Sequence, residues 1–161
     1  MEKKSPLKRD KSLIFFSQEH HHALVFCTRL KKADASIEEK IIKDFIQDFW
    51  ENNLDEHFRL EEKLFLQSLS VKNELTDKFL NDHHELRALF SYGLQTSPPD
   101  LTKLKVLADT LIAHIRFEER IFFPFLEKEL STEVLAEIGE ELAHKQIVCT
   151  TFKPEFWKQR N

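Results

Sequence analysis

The chain has 161 residues, a formal net charge of −4, and only 2 glycines and 5 prolines beside 15 phenylalanines. This length predicts one domain with one core, and so few turn-forming residues argue against an all-β fold and favour helices with short connections. Charges of both signs are interspersed along the chain, so we expect no nucleic-acid partner.

Neither secretion nor a membrane span is predicted. Five of the first eleven residues are basic, which we interpret as a solvated terminus, and no apolar signal core follows them. A run of eighteen apolar residues does not occur. Cys27 and Cys149 lack CxxC spacing and fit reduced thiols better than a disulfide framework. We therefore expect a cytoplasmic protein without a membrane partner, and its oligomeric state stays open.

Two amphipathic helices are predicted in the first half of the chain. The first runs from about Ser12 to Lys32 and contains the triplet His20-His21-His22. The second begins at Ser36, which forms a capping-box pattern with Glu39, and continues to about residue 69 if it is unbroken. Its apolar face is marked by Ile42, Phe45, Ile46, Phe49, Trp50 and Leu54.

Three further helices are predicted in the second half. The third spans about 72–94, and the residues from Gly93 to Pro99 break the chain after it. The fourth opens near Asp100, and Pro124 should kink or end it. A shorter fifth helix has Ser131 or Thr132 as its cap and ends before residue 154, after which Phe156 and Trp157 are expected to pack back onto the other helices.

This pattern predicts an all-α fold. Four long amphipathic helices joined by short connections favour an antiparallel up-and-down four-helix bundle over about 12–130. The short fifth helix and the tail, 131–161, belong to the same single domain, 1–161.

One nine-residue stretch occurs twice. HFRLEEKLF at 57–65 returns as HIRFEERIF at 114–122. Residues four apart share a helix face, so His57 with Glu61, and His114 with Glu118, each form a natural chelating pair. Both pairs lie on the apolar stripes of their helices, where an ionised carboxylate is costly unless a positive partner meets it.

Further histidines lie upstream of each copy. His83 shares a face with Phe79 and Leu86 and should point inward. In the first helix, His20 aligns with the apolar face through Leu24, whereas His21 stands three residues before Leu24, as His83 stands three before Leu86. We favour His21 and keep His20 as the alternative.

The chain then divides into two similar halves, each with one inward histidine and one HxxxE helix. A single buried histidine or a single HxxxE pair is usually only structural, but six such residues at compatible phases favour a metal site. Imidazole and carboxylate ligands suit Fe, Mn, Zn or Cu, and two bridging carboxylates suit two metals about 3.5 to 4 Å apart. The remaining candidates, interpreted as surface or supporting residues, are His22, His84, His144, Glu62 and Glu119.

These motifs resemble the hemerythrin-like family, also called the HHE cation-binding family. The resemblance covers roughly residues 12–130 and is most specific at HFRLEE (57–62), DHHEL (82–86) and HIRFEERIFFPFL (114–126). It implies an up-and-down four-helix bundle around an oxo- or hydroxo-bridged pair of iron ions that binds dioxygen or senses oxygen, nitric oxide or iron. The positions that match the family's ligands are His21 (or His20) and His57 for one ion, His83 and His114 for the other, and Glu61 and Glu118 as bridges.

Two positions depart from the oxygen-carrying members of that family. Phe79 stands one turn before His83, where the carriers have another histidine, and Glu118 follows His114 by four residues, where they have an aspartate one residue further on. Both features resemble the HHE branch and imply reactivity rather than reversible carriage.

From these observations we predict a non-enzymatic di-iron protein that binds or senses O2, NO or iron. Zinc or manganese in place of iron stays possible. A di-iron enzyme acting on peroxide, O2 or NO, and a bundle with a structural zinc ion, are the alternatives. The sequence shows no nucleophilic triad, phosphate loop or HExxH motif that competes with these readings, so we assign no catalytic residue.

Overall fold

The computed structural model describes residues 8–70, 72–149 and 151–158, and these residues form helices, turns and coil without a strand. The α-helices are α1 (Ile14–Leu30), α2 (Glu39–Phe49), α3 (Asp55–Ser68), α4 (Glu74–Gln95), α5 (Leu101–Phe117), α6 (Phe123–Glu129) and α7 (Thr132–Leu142). A short 3-10 turn, Lys11–Leu13, leads into α1. The all-helical prediction is confirmed. The basic residues Lys3 and Lys4 lie outside the described residues.

Two wider turns with π-helical hydrogen bonding join consecutive α-helices. Trp50–Leu54 joins α2 to α3, and Glu118–Phe122 joins α5 to α6. The second stands just before Pro124, which lacks the N–H that a regular helical bond would need. Regular α-geometry therefore stops ahead of the proline, and the helical chain continues to Glu129. Of the two alternatives predicted for Pro124, it does not end the helical chain, and a kink stays a prediction.

Side-chain caps fix several helix starts. Asn73 caps α4 by accepting from the N–H of Leu75 at 2.9 Å, and Ser131 caps α7 as expected. The capping box predicted at Ser36 is wrong, because α2 begins after Glu38 without a side-chain cap. The N–H of Ser36 donates instead to the carboxylate of Asp34 at 2.8 Å, a local turn that competes with capping.

In contacts between neighbouring helices, residue numbers rise along one helix as they fall along the other. Phe16, early in α1, contacts Phe65, whereas Phe26, later in α1, contacts Phe49. Likewise two ion pairs, His20–Glu118 and Lys31–Asp109, join α1 and its C-cap residue to α5 and the π-helical turn after it. The ring contacts Phe79–Phe122 and His83–His114 join α4 to the same turn and to α5. These pairings agree with an up-and-down arrangement, and the complete four-helix bundle stays a prediction.

The buried apolar residues fall into two clusters. The upper cluster is built around Phe26, Phe90 and Leu107, and the lower cluster around Phe65 and Phe122. Along every long helix the chain passes from one cluster to the other. At each crossing stands a buried polar residue: His20, His57 with Glu61, His83, and His114 with Glu118. The fold thus places these polar side chains between two apolar layers.

The C-terminal tail packs on the upper cluster, as expected. Phe156 contacts Phe45 edge to face at a centroid distance of 5.0 Å, and Trp157 lies 5.5 Å from the same ring. Arg29 of α1 lies over the Trp157 ring at 4.3 Å. No helix in the part of the chain that the structure describes is long and apolar enough to span a membrane.

Candidate metal centre

Six polar side chains from four helical stretches meet between the two apolar clusters. His20 comes from α1, His57 and Glu61 from α3, and His83 from α4. His114 lies in the last turn of α5, and Glu118 opens the π-helical turn after it. All six are buried, and the exposed fraction of both glutamates is 0%. We call these six residues the His/Glu cluster.

Glu118 lies at the centre of the cluster. Its Oε2 is 2.9 Å from Nε2 of His20, and its Oε1 is 2.5 Å from Nε2 of His114 and 3.3 Å from Nε2 of His83. On the other side, Nε2 of His57 contacts Oε1 of Glu61. All four histidines therefore turn the same ring nitrogen, Nε2, towards a glutamate.

Two groups in the cluster could each hold a metal ion. His20, His57, Glu61 and Glu118 offer ligand atoms that all lie within 4.8 Å of one another, and so do His83, His114 and Glu118. Glu118 belongs to both groups, which is the position of a bridging carboxylate. The two groups use only imidazole and carboxylate donors, the set that suits Fe, Mn, Zn or Cu.

The outer nitrogen of each histidine in the cluster bonds a different carboxylate. The four Nδ1 contacts are His20 with Glu119 at 2.7 Å, His57 with Glu19 at 3.0 Å, His83 with Glu62 at 2.8 Å, and His114 with Asp82 at 3.0 Å. A carboxylate accepts a hydrogen bond, so Nδ1 carries the proton. In a neutral ring this tautomer leaves a lone pair on Nε2, which faces inward. Histidine ligands of metals are commonly held in this way.

The supporting carboxylates follow the internal repeat. Glu19 directly precedes the inward histidine of α1, as Asp82 directly precedes that of α4, and each bonds the histidine of the HxxxE pair in its own half. Glu62 and Glu119 follow the two cluster glutamates and bond the inward histidine of the opposite half. The expectation that Glu62 and Glu119 act as supporting acceptors therefore agrees with these contacts.

Sequence reasoning missed the part played by Glu19. The available signal was the acidic residue directly before the inward histidine, Glu19-His20 in one half and Asp82-His83 in the other. That pairing also identifies His20 as the counterpart of His83.

The preference for His21 over His20 is wrong. His20 is 3% exposed and lies in the cluster, whereas His21 is exposed on the outer face of α1. The preference relied on Leu24 as an inward residue, but Leu24 is 36% exposed. The buried face of α1 instead follows Phe16, Ala23 and Cys27, and His20 falls on it.

The other three histidines lie outside the cluster. His84 and His144 are exposed, as interpreted from the sequence. His22 is half-buried, and its Nε2 lies 3.7 Å from Sγ of Cys149 on the opposite side of α1 from the cluster face.

Several buried atoms of the cluster have no hydrogen-bond partner. They are both carboxylate oxygens of Glu61, Oε2 of Glu118, and Nε2 of His20 and of His114. Some of these atoms are close enough to bond, as the 2.9 Å between His20 and Glu118 shows, but their bonding directions do not align. Buried polar atoms without partners are costly, and lone pairs that converge from several side chains can be satisfied together by a cation. The donor set therefore fits a bound metal.

The charges of the cluster shift the pKa values of its members. Burial raises the pKa of Glu61, and the nearby charge of Glu118 raises it further. Burial would also raise the pKa of Glu118, but the histidines that surround it outweigh burial and hold that pKa well below its ordinary range. Burial would lower the pKa of His114, yet its contacts with Glu118 and Asp82 raise it to about 9. Without a metal, the histidines therefore stabilise the negative charge of Glu118 more than that of Glu61.

Aromatic rings enclose the cluster unevenly. His83 lies between Phe58, stacked at 4.0 Å, and Phe79 at 4.3 Å. Phe79 is fully buried and stacks on Phe122, so the position that holds a histidine in oxygen carriers is filled by packed rings. Beside His20, His57 and His114 there is instead a small cavity of about 10 Å³.

A family model described as "Hemerythrin HHE cation binding domain" matches residues 13–126. The matched range contains all six members of the His/Glu cluster and the four carboxylates behind them. No curated protein and no solved structure matches the chain.

Proposed function

We propose a function from one premise: the chain belongs to the hemerythrin HHE cation-binding domain family. Its His/Glu cluster holds two iron ions and binds a small diatomic ligand, dioxygen or nitric oxide. An antiparallel up-and-down four-helix bundle, forming a single domain with the C-terminal helix and tail, surrounds the site. The observation that carries this proposal is the fully buried pair Glu61 and Glu118, three of whose four oxygens have no hydrogen-bond partner.

The ligand assignment follows the two groups of converging atoms. His20 and His57 hold one ion, and His83 and His114 hold the other. Glu118 would serve both ions because it belongs to both groups, and Glu61 would complete the first group. Each of the four rings is held in the required tautomer by the carboxylate on its Nδ1.

Iron is favoured by the kind and number of donors. Structural zinc sites often include thiolate ligands, and no cysteine is among the atoms that converge here. Six protein side chains shared by two ions leave coordination positions open for an outside ligand. When bound, a pair of iron ions supplies redox chemistry at those positions.

The surroundings favour capture or sensing over reversible carriage. Phe79 occupies the place of an additional imidazole, so the adjacent ion has one protein ligand fewer than in an oxygen carrier. The apolar rings around the cluster limit water and favour small uncharged ligands. A di-iron enzyme acting on peroxide, O2 or NO would use the same six side chains and differs in its turnover.

Metal analysis and optical spectroscopy test the proposal. Protein purified in air should contain two irons per chain and show a visible absorption spectrum that azide alters. A zinc protein would show no visible absorption band and no response to azide. Mixing the reduced protein with oxygen in a stopped-flow instrument then separates the candidates. One oxidation per site is expected for a sensor, a reversible adduct for a carrier, and repeated consumption of oxygen for an enzyme.

A further inference from the structure

A small cavity lies beside the His/Glu cluster. It adjoins three cluster histidines, His20, His57 and His114, and its volume of about 10 Å³ is enough for roughly one water-sized molecule. The rest of its wall is formed by Glu19, Asn53 and six apolar residues: Ala23, Phe49, Leu54, Phe58, Leu111 and Ile115. We call this space the inner cavity.

A larger groove of about 300 Å³ shares part of its lining with the inner cavity. Its floor includes His22, Val25 and Phe26 of α1, and its rim includes Val148, Cys149 and Phe152 of the C-terminal chain. We call it the outer groove. Two residues, Phe49 and Asn53, line both the outer groove and the inner cavity, so the two spaces are separated by a single layer of side chains.

The two residues of that layer are held with very different strength. Phe49 stacks on Phe26 at a centroid distance of 4.1 Å and also contacts Phe90, so neighbouring rings fix it in place. Asn53 is held by one hydrogen bond from its Nδ2 to the carbonyl oxygen of Val148, at 2.9 Å. Its Oδ1 is buried and has no partner. Rotation of the Asn53 side chain is therefore the easier way to connect the two spaces.

The backbone at Asn53 is also unusual. The residue lies in the π-helical turn Trp50–Leu54, one turn before His57, and lines the inner cavity. π-Helical turns inside α-helices are often found at functional positions. His83 is packed between two rings and does not line the inner cavity, so the route leads to the side of the cluster formed by His20, His57 and His114.

We propose that small uncharged ligands reach the metal centre from the outer groove through a gate formed by Asn53, whose side chain is tethered to the C-terminal chain by the carbonyl of Val148. The gate opens when this hydrogen bond breaks and the amide swings away from Phe49. This inference rests on the proposed function, because it assumes that a ligand binds metal held by the histidines that line the inner cavity. It predicts that Asn53 controls the rate of ligand binding and leaves its affinity unchanged.

Nitric oxide binding to the reduced, iron-loaded protein tests the gate. Asn53→Ala removes the tether, so the association and dissociation rate constants should both rise about fivefold, the effect of losing one ordinary hydrogen bond, while Kd stays constant. Asn53→Ser should act in the same direction and guards against a folding defect in the first variant. Asn52→Ala is the matched control, since Asn52 is the exposed neighbour in the same turn and bonds Asp48.

A second readout does not depend on the metal. Without the tether, the chain around Val148 should loosen, and trypsin should cut after Lys145 faster in Asn53→Ala than in Asn52→Ala, with or without iron.

Unchanged rate constants in a variant that still holds two irons would overturn the gate and leave the proposed function intact. A changed Kd with an unchanged association rate would also overturn it, because Asn53 would then contact the bound ligand. Wild-type protein without metal would overturn both proposals.

Discussion

The carboxylate of Glu19 lies 3.0 Å from Nδ1 of His57, and this contact directs the opposite nitrogen of the ring towards Glu61. Asp82 stands in the same relation to His114, at the same distance, in the other half of the chain. Each carboxylate therefore fixes the orientation and the tautomer of a cluster histidine, although the carboxylate itself lies outside the cluster.

Loss of this support should weaken metal binding without unfolding the protein. For Glu19→Gln we expect metal affinity to fall about 10- to 100-fold, the usual cost of removing a carboxylate behind a histidine ligand. Competition with a chelator measures the change. Asp82→Asn should behave in the same way. Glu85→Gln, an exposed position on α4, is the control and should leave affinity unchanged.

His20 and His21 give a direct test of the assignment in α1. His20→Ala should lower the metal content and the melting temperature of the loaded protein together, because metal bound to the native state adds to its stability. His21→Ala should change neither, since that side chain is exposed. Metal analysis and thermal unfolding check both variants. Normal metal loading in His20→Ala would contradict the assignment.

His57→Ala and Glu118→Ala should likewise lower metal content and thermal stability together. Glu118 is expected to have the larger effect, because its carboxylate contacts three histidines and belongs to both converging groups. Metal content per chain and the melting temperature check the prediction. Full metal loading in both variants would contradict it.

The two cluster glutamates should have opposite effects on the metal-free protein. The pKa of Glu61 is raised in the folded state by burial and by Glu118, so at neutral pH its charge destabilises the fold. Glu61→Gln should therefore raise the unfolding free energy of the metal-free protein, by about 1 kcal/mol. The pKa of Glu118 is lowered, so Glu118→Gln should reduce that free energy. Urea unfolding after metal removal measures both, and equal signs would contradict the charge assignment.

A pH dependence follows from Glu62. Burial would raise its pKa, but the contacts with His83 and Arg87 outweigh burial and lower the pKa from 4.5 to about 2. A carboxyl with a lowered folded-state pKa stabilises the fold above its unfolded-state pKa and loses that contribution as the pH falls from 4.5 towards 2. Metal-free Glu62→Gln should thus lose less stability than the wild type over this window, by less than about 1 kcal/mol because the carboxyl is partly exposed.

The HxxxE residues could be located from the sequence because two signals coincide there. The spacing of four places His57 with Glu61, and His114 with Glu118, on one helix face, and that face is otherwise apolar. The same reasoning located His83. All five lie buried and close together in the structure.

Positions in α1 were harder to predict because its apolar pattern is ambiguous. Leu24 and Ile14 are apolar yet exposed, so a phase that relies on Leu24 turns the helix by about 100° and favours the wrong histidine. The π-helical turn at Trp50–Leu54 was not predicted either, since its residue types do not distinguish it from a regular α-helix. The turn before Pro124 differs, because a proline at that point disfavours regular helical bonding.

The most direct test of the account is the metal stoichiometry of the protein isolated from its own source. The account predicts two iron ions per chain, and loss of both in Glu118→Ala. Protein that is folded, carries fewer than one metal ion per chain, and retains the same melting temperature after treatment with a chelator would contradict it.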